Sequence, residues 1–257
     1  MTYPMAFLSF VDLTDPTQHR AYNEWHQLDH RPENLALPGV AWGDRWARPQ
    51  EYRESGSAAP EYAEVDYVAM YLFRNPLPAS LAAWDRLGED SFQWGRGPII
   101  PGVTRRMTSF FVPVKGYAAP SALVGPDVLP FRPNRGLHLT LTRYAAPHDL
   151  STHALFTWQD RTLIPALLDL DGVAGAWTFS FDRHQRHRTL PFHSAAEDAP
   201  GSLRLRVLYL DGDPLETTAA IRRTEEEVAT PTSRAAAEAE EALLSTPLRT
   251  IIPWQDW

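Results

Sequence analysis

Two stretches of this chain, WHQLDHRPENLALPGVAWGDR at Trp25–Arg45 and WQDRTLIPALLDLDGVAGAWT at Trp158–Thr178, are one pattern written twice, at a fixed offset of 133 and without a gap. Trp25 falls on Trp158, Pro32 on Pro165, Leu35 on Leu168, Leu37 on Leu170, and Gly39-Val40-Ala41 on Gly172-Val173-Ala174. Such a repeat divides the 257 residues into two modules of about 120, each long enough to bury a core. The reactive residues are not repeated. His26 falls on Gln159, His30 on Leu163 and Glu33 on Ala166, so the first copy alone carries the histidines.

Periodicity gives both modules the same order of elements. In the first, Ala6–Leu13 reads as a strand closed by the Asp15-Pro16 turn signal, and Thr17 to about Arg31 as a helix. Pro32 bends or ends that helix, because it has no N–H for the Leu28 carbonyl and its ring crowds it. After the Pro38-Gly39 turn, Val40–Ala47 is a strand, Gln50–Asp66 an exposed loop, and Tyr67–Phe73 a strand closed by Asn75-Pro76. Pro78–Leu87 starts a second helix and Thr104–Val114 is a fourth strand. In the second module the strands are Leu137–Tyr144, Gly172–Phe181, Leu203–Leu210 and Leu248–Trp254. Its helices are Leu150 to about Leu170 and a long Leu215–Leu244, interrupted at Pro231. Asp182–Gly201 is a charged loop, and the proline- and alanine-rich Gly116–Arg135 a linker.

The order β-α-β-β-α-β is the ferredoxin-like arrangement. A four-stranded sheet with both helices on one face leaves the other face bare. Along Tyr67–Phe73 neither face is polar, so the bare face must be covered. Packing the two sheets against each other covers both. The expected fold is therefore α+β: two tandem modules, residues 1–115 and 136–257, joined by residues 116–135 and packed sheet to sheet into one α+β barrel.

Composition removes several classes of function. The net charge is −8 and no basic face is evident, which argues against nucleic acid as a partner. No apolar run approaches the ~18 residues of a membrane span, and Met1–Leu13 reads as a strand rather than a signal peptide. Cysteine is absent, which excludes disulfides and thiol nucleophiles and fits the cytoplasm. Lys115 is the only lysine, which leaves little scope for Schiff-base chemistry. Neither a nucleotide-binding glycine motif nor GxSxG is present.

Trp25, His30, Pro32, the Leu35/Leu37 pair, Pro38-Gly39 and Arg45, following a β-strand, resemble the EthD-like members of the dimeric α/β-barrel superfamily. The resemblance covers roughly residues 6–115. It implies a pocket between helices and sheet with the helix-one histidine, His30, projecting into it. The superfamily it points to includes lyases, isomerases, polyketide cyclases, cofactor-free oxygenases, haem enzymes and plain binding proteins, so fold alone does not choose among them.

The residues themselves suggest proton transfer. His30 sits at the expected helix end, where the helix dipole favours imidazolium while an apolar pocket favours the neutral base. Opposed effects would leave its pKa near neutrality, suited to acid–base work. The alternative is that His30 only ties down the Pro32 break. His26, one turn earlier, and Tyr22 would orient the substrate or stabilise an enolate. His26 and His30 could instead share a divalent metal with Glu33, Asp29 or Asp44. The histidines at 184, 187 and 193 lie in a basic stretch better suited to solvation or an acidic partner. Tyr22, Trp25, Trp42, Trp46, Tyr67, Tyr71, Trp84 and Trp94 could line a pocket for a flat apolar ligand, or serve as core. Asp44 could orient a histidine if it points inward; otherwise Asp44 and Arg45 are strand-end surface charges.

The leading expectation is a cofactor-independent enzyme, of lyase, isomerase or cyclase type, on a small hydrophobic, aromatic or polyketide-like carbonyl compound. His30 is its general acid–base. A second reading is a haem-dependent or cofactor-free monooxygenase, with His30 as axial ligand or base. A third is a non-catalytic carrier of a small apolar molecule. The chain could work as a monomer or a homodimer.

Overall fold

The computed structural model describes residues 3–96, 100–186, 197–231, 233 and 240–256. The first half contains β1 (Met5–Leu13), α1 (His19–Trp25), a π turn (His26–His30) and α2 (Arg31–Leu35). It continues through β2 (Val40–Ala47), α3 (Gln50–Glu54), β3 (Ser57–Ala58), β4 (Tyr67–Phe73), α4 (Leu77–Gln93) and β5 (Val103–Ala118). The second half contains β6 (Gly136–Tyr144), α5 (Leu150–Trp158), a second π turn (Gln159–Leu163) and α6 (Ile164–Leu168). It ends with β7 (Val173–His184), β8 (Leu203–Leu210), α7 (Pro214–Val228) and β9 (Glu240–Thr250).

The strands form one antiparallel sheet in the order β2-β4-β1-β5-β7-β8-β6-β9-β3, closed by a further pairing of β2 with β9. Each half supplies a four-stranded ferredoxin-like unit, and the two face each other across an apolar interior. The halves are also hydrogen-bonded edge to edge, with Ser109 opposite His184 and Trp46 opposite Thr250. Closure pairs the end of β2 with β9 at Trp46 and Ala47. Alternation along β1 shows how both faces are used. Ala6, Leu8 and Phe10 point into the barrel, while Met5, Phe7 and Val11 point outward under the helices. The interior is filled by such side chains, including Trp46, Phe111, Leu139, Phe179 and Leu205.

Several segments differ from expectation for one reason: tertiary burial outweighs local composition. Gln50–Asp66 is not a loose loop, since Tyr52, Tyr62 and Val65 are buried and β3 pairs with β9. The expected linker is built into the fold. β5 runs on to Ala118, and Leu129 (1 % exposed) packs in the barrel core. Helix α7 stops at Val228, and Leu243, Leu244 and Leu248 belong to β9 and the barrel interior. The helix expected to run on to Leu244 falls partly on residues 234–239, which lie outside the described residues, and its last residues are strand. His187 and His193 lie outside the described residues. His184 ends β7 and is held between Ser109 Oγ (2.8 Å) and Asp198 Oδ2 (3.1 Å), a structural clamp rather than a solvated position.

Gly43 on β2 lies opposite Tyr71 on β4, and a Cβ at Gly43 would come within 2.2 Å of the Tyr71 ring. Tyr71 is 1 % exposed, with the rings of His30 and Trp84 each 6.3 Å from its own. Gly43→Ala is therefore expected to destabilise the fold by about 1–3 kcal/mol through overpacking. Urea denaturation measures this, and an unchanged midpoint would show that the Tyr71 ring yields freely.

Candidate active site

With the barrel interior filled, the space for chemistry lies on the outer face of the first half, between the sheet and α1, α2 and α4. Strand register creates it. Arg45 pairs with Ala69, Ala69 with Ser9, and Ser9 with Thr108, so the middle of this row is small. The flanking rows are large: Tyr71, Phe7 and Phe110 on one side, Tyr67, Val11 and Arg105 on the other. A trough results beneath the helices. Its cavity, of about 90 Å³, is lined by Ser9, Ala69 and Thr108 from the floor and by Tyr22, Trp25, His26 and His30 from the helix. It opens toward solvent beside the exposed Asp85 and Gly88 of α4.

The helix above the trough does not end at Pro32. It opens into a π turn, with the Arg31 N–H bonded to the His26 carbonyl, and resumes as α2 to Leu35. The wider turn relieves the crowding that Pro32 would impose on a regular helix. It also sets His26 and His30 one above the other, with ring centroids 5.3 Å apart. Trp25 lies flat on the His30 ring at 4.7 Å, and Tyr71 meets that ring edge-on at 6.3 Å. Asn34 links the site to the core: its Nδ2 donates to the His30 carbonyl (2.6 Å), and its Oδ1 accepts from the Trp84 indole N–H. The equivalent space in the second half is solid. Leu163, 133 residues after His30, packs with Ile164, Leu167, Leu208 and Ile221.

Both histidines are held neutral. His26 is 2 % exposed, and burial, then Arg45, His30 and Arg31, lowers its pKa well below the ordinary value. For His30, burial and then Arg105, opposed by Asp29, lowers the pKa to about 3. Its side chain keeps 31 % of its surface, so a water-filled cavity desolvates it less than a ligand-filled one would. The expected near-neutral pKa is thus corrected. His30 stands inside a continuing helix and lacks the C-terminal dipole, leaving desolvation and guanidinium charge unopposed except by Asp29. Its Nδ1 lies 3.4 Å from Asn34 Nδ2 and 3.9 Å from Glu33 Oε1, an amide donor and a carboxylate that favour opposite tautomers. Nε2 has no protein partner among the described residues.

Of the residues singled out from sequence, Tyr22, Trp25, His26, His30, Tyr71 and Trp84 line this one cavity. Trp42, Asp44 and Trp94 do not. Trp42 belongs to the barrel interior, 5.8 Å from Trp46. Asp44 pairs with Arg31 (3.3 Å). Trp94 is 62 % exposed past the end of α4. Arg45 is no surface charge. It is 0 % exposed, lies between the rings of Tyr22 and Tyr67, and donates to Asn23 Oδ1. Arg105, also missed, is 7 % exposed and lines the cavity. Alternation from Met107, which points into the barrel, would place Arg105 inside as well. A bulge between β1 and β5 shifts the register so that Arg105 faces outward opposite Val11. Bulges re-aim side chains in this way, and no residue type in the sequence marks this one.

Two cofactors were weighed against the residues present. A metal at His26 and His30 needs a third ligand. Glu33, however, is bonded to Arg96 and Ser91, and Asp44 to Arg31. Among the described residues no three histidines, aspartates or glutamates are grouped to hold an ion. A haem needs far more room than a cavity smaller than the ~150 Å³ that takes up benzene, and Trp25 covers one face of the His30 ring. Neither group fits the residues as they stand.

No family model matches the sequence, and no curated protein matches it. Solved structures do. A protein assigned as a chlorite dismutase superposes with a TM-score of 0.55 at 11% identity, over 98% of this chain and 96% of that one. An anthrone oxidase-like protein gives 0.54 at 11% identity, over 100% and 96%. A protein assigned as a monooxygenase from Fusobacterium nucleatum subsp. nucleatum gives 0.52 at 6% identity, over 98% and 94%. At such identities the likeness is one of fold, a ferredoxin-like α+β barrel. No described helix is long and apolar enough to cross a membrane.

The neutral histidines make stability depend on pH. In the unfolded chain each imidazole takes up its proton near pH 6.5, whereas the folded site withholds it until well below that. Stability is therefore complete above pH ~6.5 and falls as pH drops toward the folded value, by up to about 1.4 kcal/mol per pH unit per histidine. Urea titrations at pH 7.5 and 5 are expected to show this loss, and His26→Leu to reduce it by one proton. An unaltered slope in His26→Leu would mean that His26 ionises freely in the folded protein.

Proposed function

We propose that this protein is a cofactor-independent acid–base enzyme, of lyase, isomerase or cyclase type, acting on a small hydrophobic or aromatic carbonyl compound. The observation that carries the reading is His30: a neutral imidazole with a free Nε2, set on an aromatic wall in a small cavity. His30 removes or delivers a proton at carbon next to the carbonyl. Trp25, Phe7 and Trp84 hold the apolar body of the substrate and exclude water. The oxyanion that develops is favoured by the field of Arg45, whose charge is desolvated and therefore acts strongly. His26, behind His30, keeps the site from carrying further positive charge. The substrate partner is a small molecule, and the working form is a monomer or a homodimer.

We also read the two halves as copies of one EthD-like module fused in a single chain, with residues 1–115 carrying the site and 136–257 completing the barrel. Support comes from the π turns at His26–His30 and Gln159–Leu163 and from β2 and β7 starting at Val40 and Val173, each pair 133 residues apart. The neighbouring structures also match across both halves within one chain.

A second reading keeps the same first step and differs afterwards. The stacked aromatic lining of Trp25, Tyr71 and Trp84 suits a flat, ionisable ring, and once His30 has deprotonated it, molecular oxygen could serve as oxidant without a cofactor. Oxygen uptake during turnover separates the two readings. In either, His30→Ala is expected to lower turnover by ~10²-fold or more while ligand binding survives. Turnover unchanged in His30→Ala, measured on an identified substrate, would reduce the site to a carrier pocket.

A further inference from the structure

Three arginines are buried: Arg45, Arg48 and Arg105. Arg48 has no carboxylate but donates to Thr246 Oγ1 and to the carbonyls of Tyr62, Ala63 and Val65. Arg45 and Arg105 are less well provided. Among the described residues neither has a carboxylate within ion-pair distance. Arg45 Nε and Nη1 and Arg105 Nη1 are buried without any hydrogen-bond partner. Two guanidinium groups, 0 % and 7 % exposed, therefore stand uncompensated at one site. An unpaired buried charge is costly, and proteins rarely retain one unless something else completes it. The acids at the cavity do not supply the missing charge. Glu33 is taken by Arg96 and Ser91, Asp29 by Arg96, and Asp85 lies exposed at the mouth.

We infer that the cavity takes an organic carboxylate, with Arg105 as the group that receives it and the apolar body of the ligand lying against Trp25, Phe7 and Trp84. This rests on the acid–base reading only for what happens next, since the anion site stands whether or not His30 reacts. Arg105 is aimed at the trough by the β5 bulge, next to Ser9 and Thr108, whose hydroxyls lie on the same floor. A guanidinium fork offers two parallel N–H donors to a carboxylate, a match that a neutral carbonyl cannot make. The geometry also links binding to chemistry. Arg105 is one of the charges that suppress proton uptake by His30, so a carboxylate placed on Arg105 restores basicity to His30 only when substrate is present. The reactive carbonyl and the carboxylate then belong to one molecule, an apolar oxo-acid.

The test compares isosteric pairs on the full chain: isobutyrate with isobutyramide, small enough for the existing space, and benzoate with benzamide, whose ring projects toward the mouth. Calorimetry, with quenching of Trp25 and Trp84 fluorescence as a second readout, is expected to show each carboxylate binding about 10- to 100-fold tighter than its amide. Arg105→Gln should abolish the preference, Arg105→Lys should keep part of it, and His30→Gln should leave carboxylate affinity within about twofold. Because Arg105→Gln removes an unpaired buried charge, the ligand-free variant should melt at or above the parent's temperature; a clear drop would make Arg105 a structural residue and overturn the assignment. Equal binding of acid and amide, binding of neither, or an undiminished preference in Arg105→Gln would each overturn it as well. Retained carboxylate binding together with full turnover in His30→Gln would sink the acid–base reading and leave the anion site standing.

Discussion

Filling the barrel interior with large side chains is the constraint on which the rest of this structure depends. β1 and β4 are buried on both faces, one against the opposite sheet and one beneath helices. Any cavity has to form on the helix side, and only where the wall carries small residues. The row through Ala69, Ser9 and Thr108 meets that condition. In the second half the corresponding row carries Arg206, with its partner Glu225, beside Thr178 and Thr140. The small row that opens the trough in the first half is therefore closed by a large side chain in the second.

Two local irregularities turn the trough into a place where chemistry can occur. The π turn stacks His26 and His30 over it and accommodates Pro32 without ending the helix. The bulge on β5 turns Arg105 out of the barrel and into the trough. The π turn recurs at Gln159–Leu163 in the second half, whereas the bulge that turns Arg105 outward lies between β1 and β5. The resulting electrostatics are lopsided: two neutral imidazoles, two desolvated guanidinium groups, and carboxylates already engaged elsewhere or open to water. A site with that balance favours a negatively charged ligand or a reaction that creates negative charge, because either lowers the cost of the buried cations.

Much of this was legible beforehand. The offset of 133 located the strands at Val40 and Val173 and the helices before them, since periodicity and Pro-Gly punctuation are local signals. Leu163, where the second copy lacks the histidine, packs with Ile164 in an apolar cluster. Tyr22, Trp25, His30, Tyr71 and Trp84 were gathered from helix and strand faces that do meet in space. Trp42 was misplaced because its strand buries both faces, so being aromatic did not say which side it took. Leu243 and Leu244, expected at the end of a long helix, lie in β9 instead, because propensity is weak against burial in a barrel wall.

By itself, then, the sequence determined the order of elements, the pairing of the halves and the histidine that only one of them carries. Those depend on spacing along the chain, which residue types record directly. The tertiary structure alone decided that His30 lies within a π turn rather than at a helix end, and that its pKa is lowered rather than balanced. It alone decided that Arg45 and Arg105 are buried without counter-ions. These properties arise from register, a bulge and desolvation, each set by residues distant in sequence, and a guanidinium on the surface is spelled the same way as one enclosed beneath a helix.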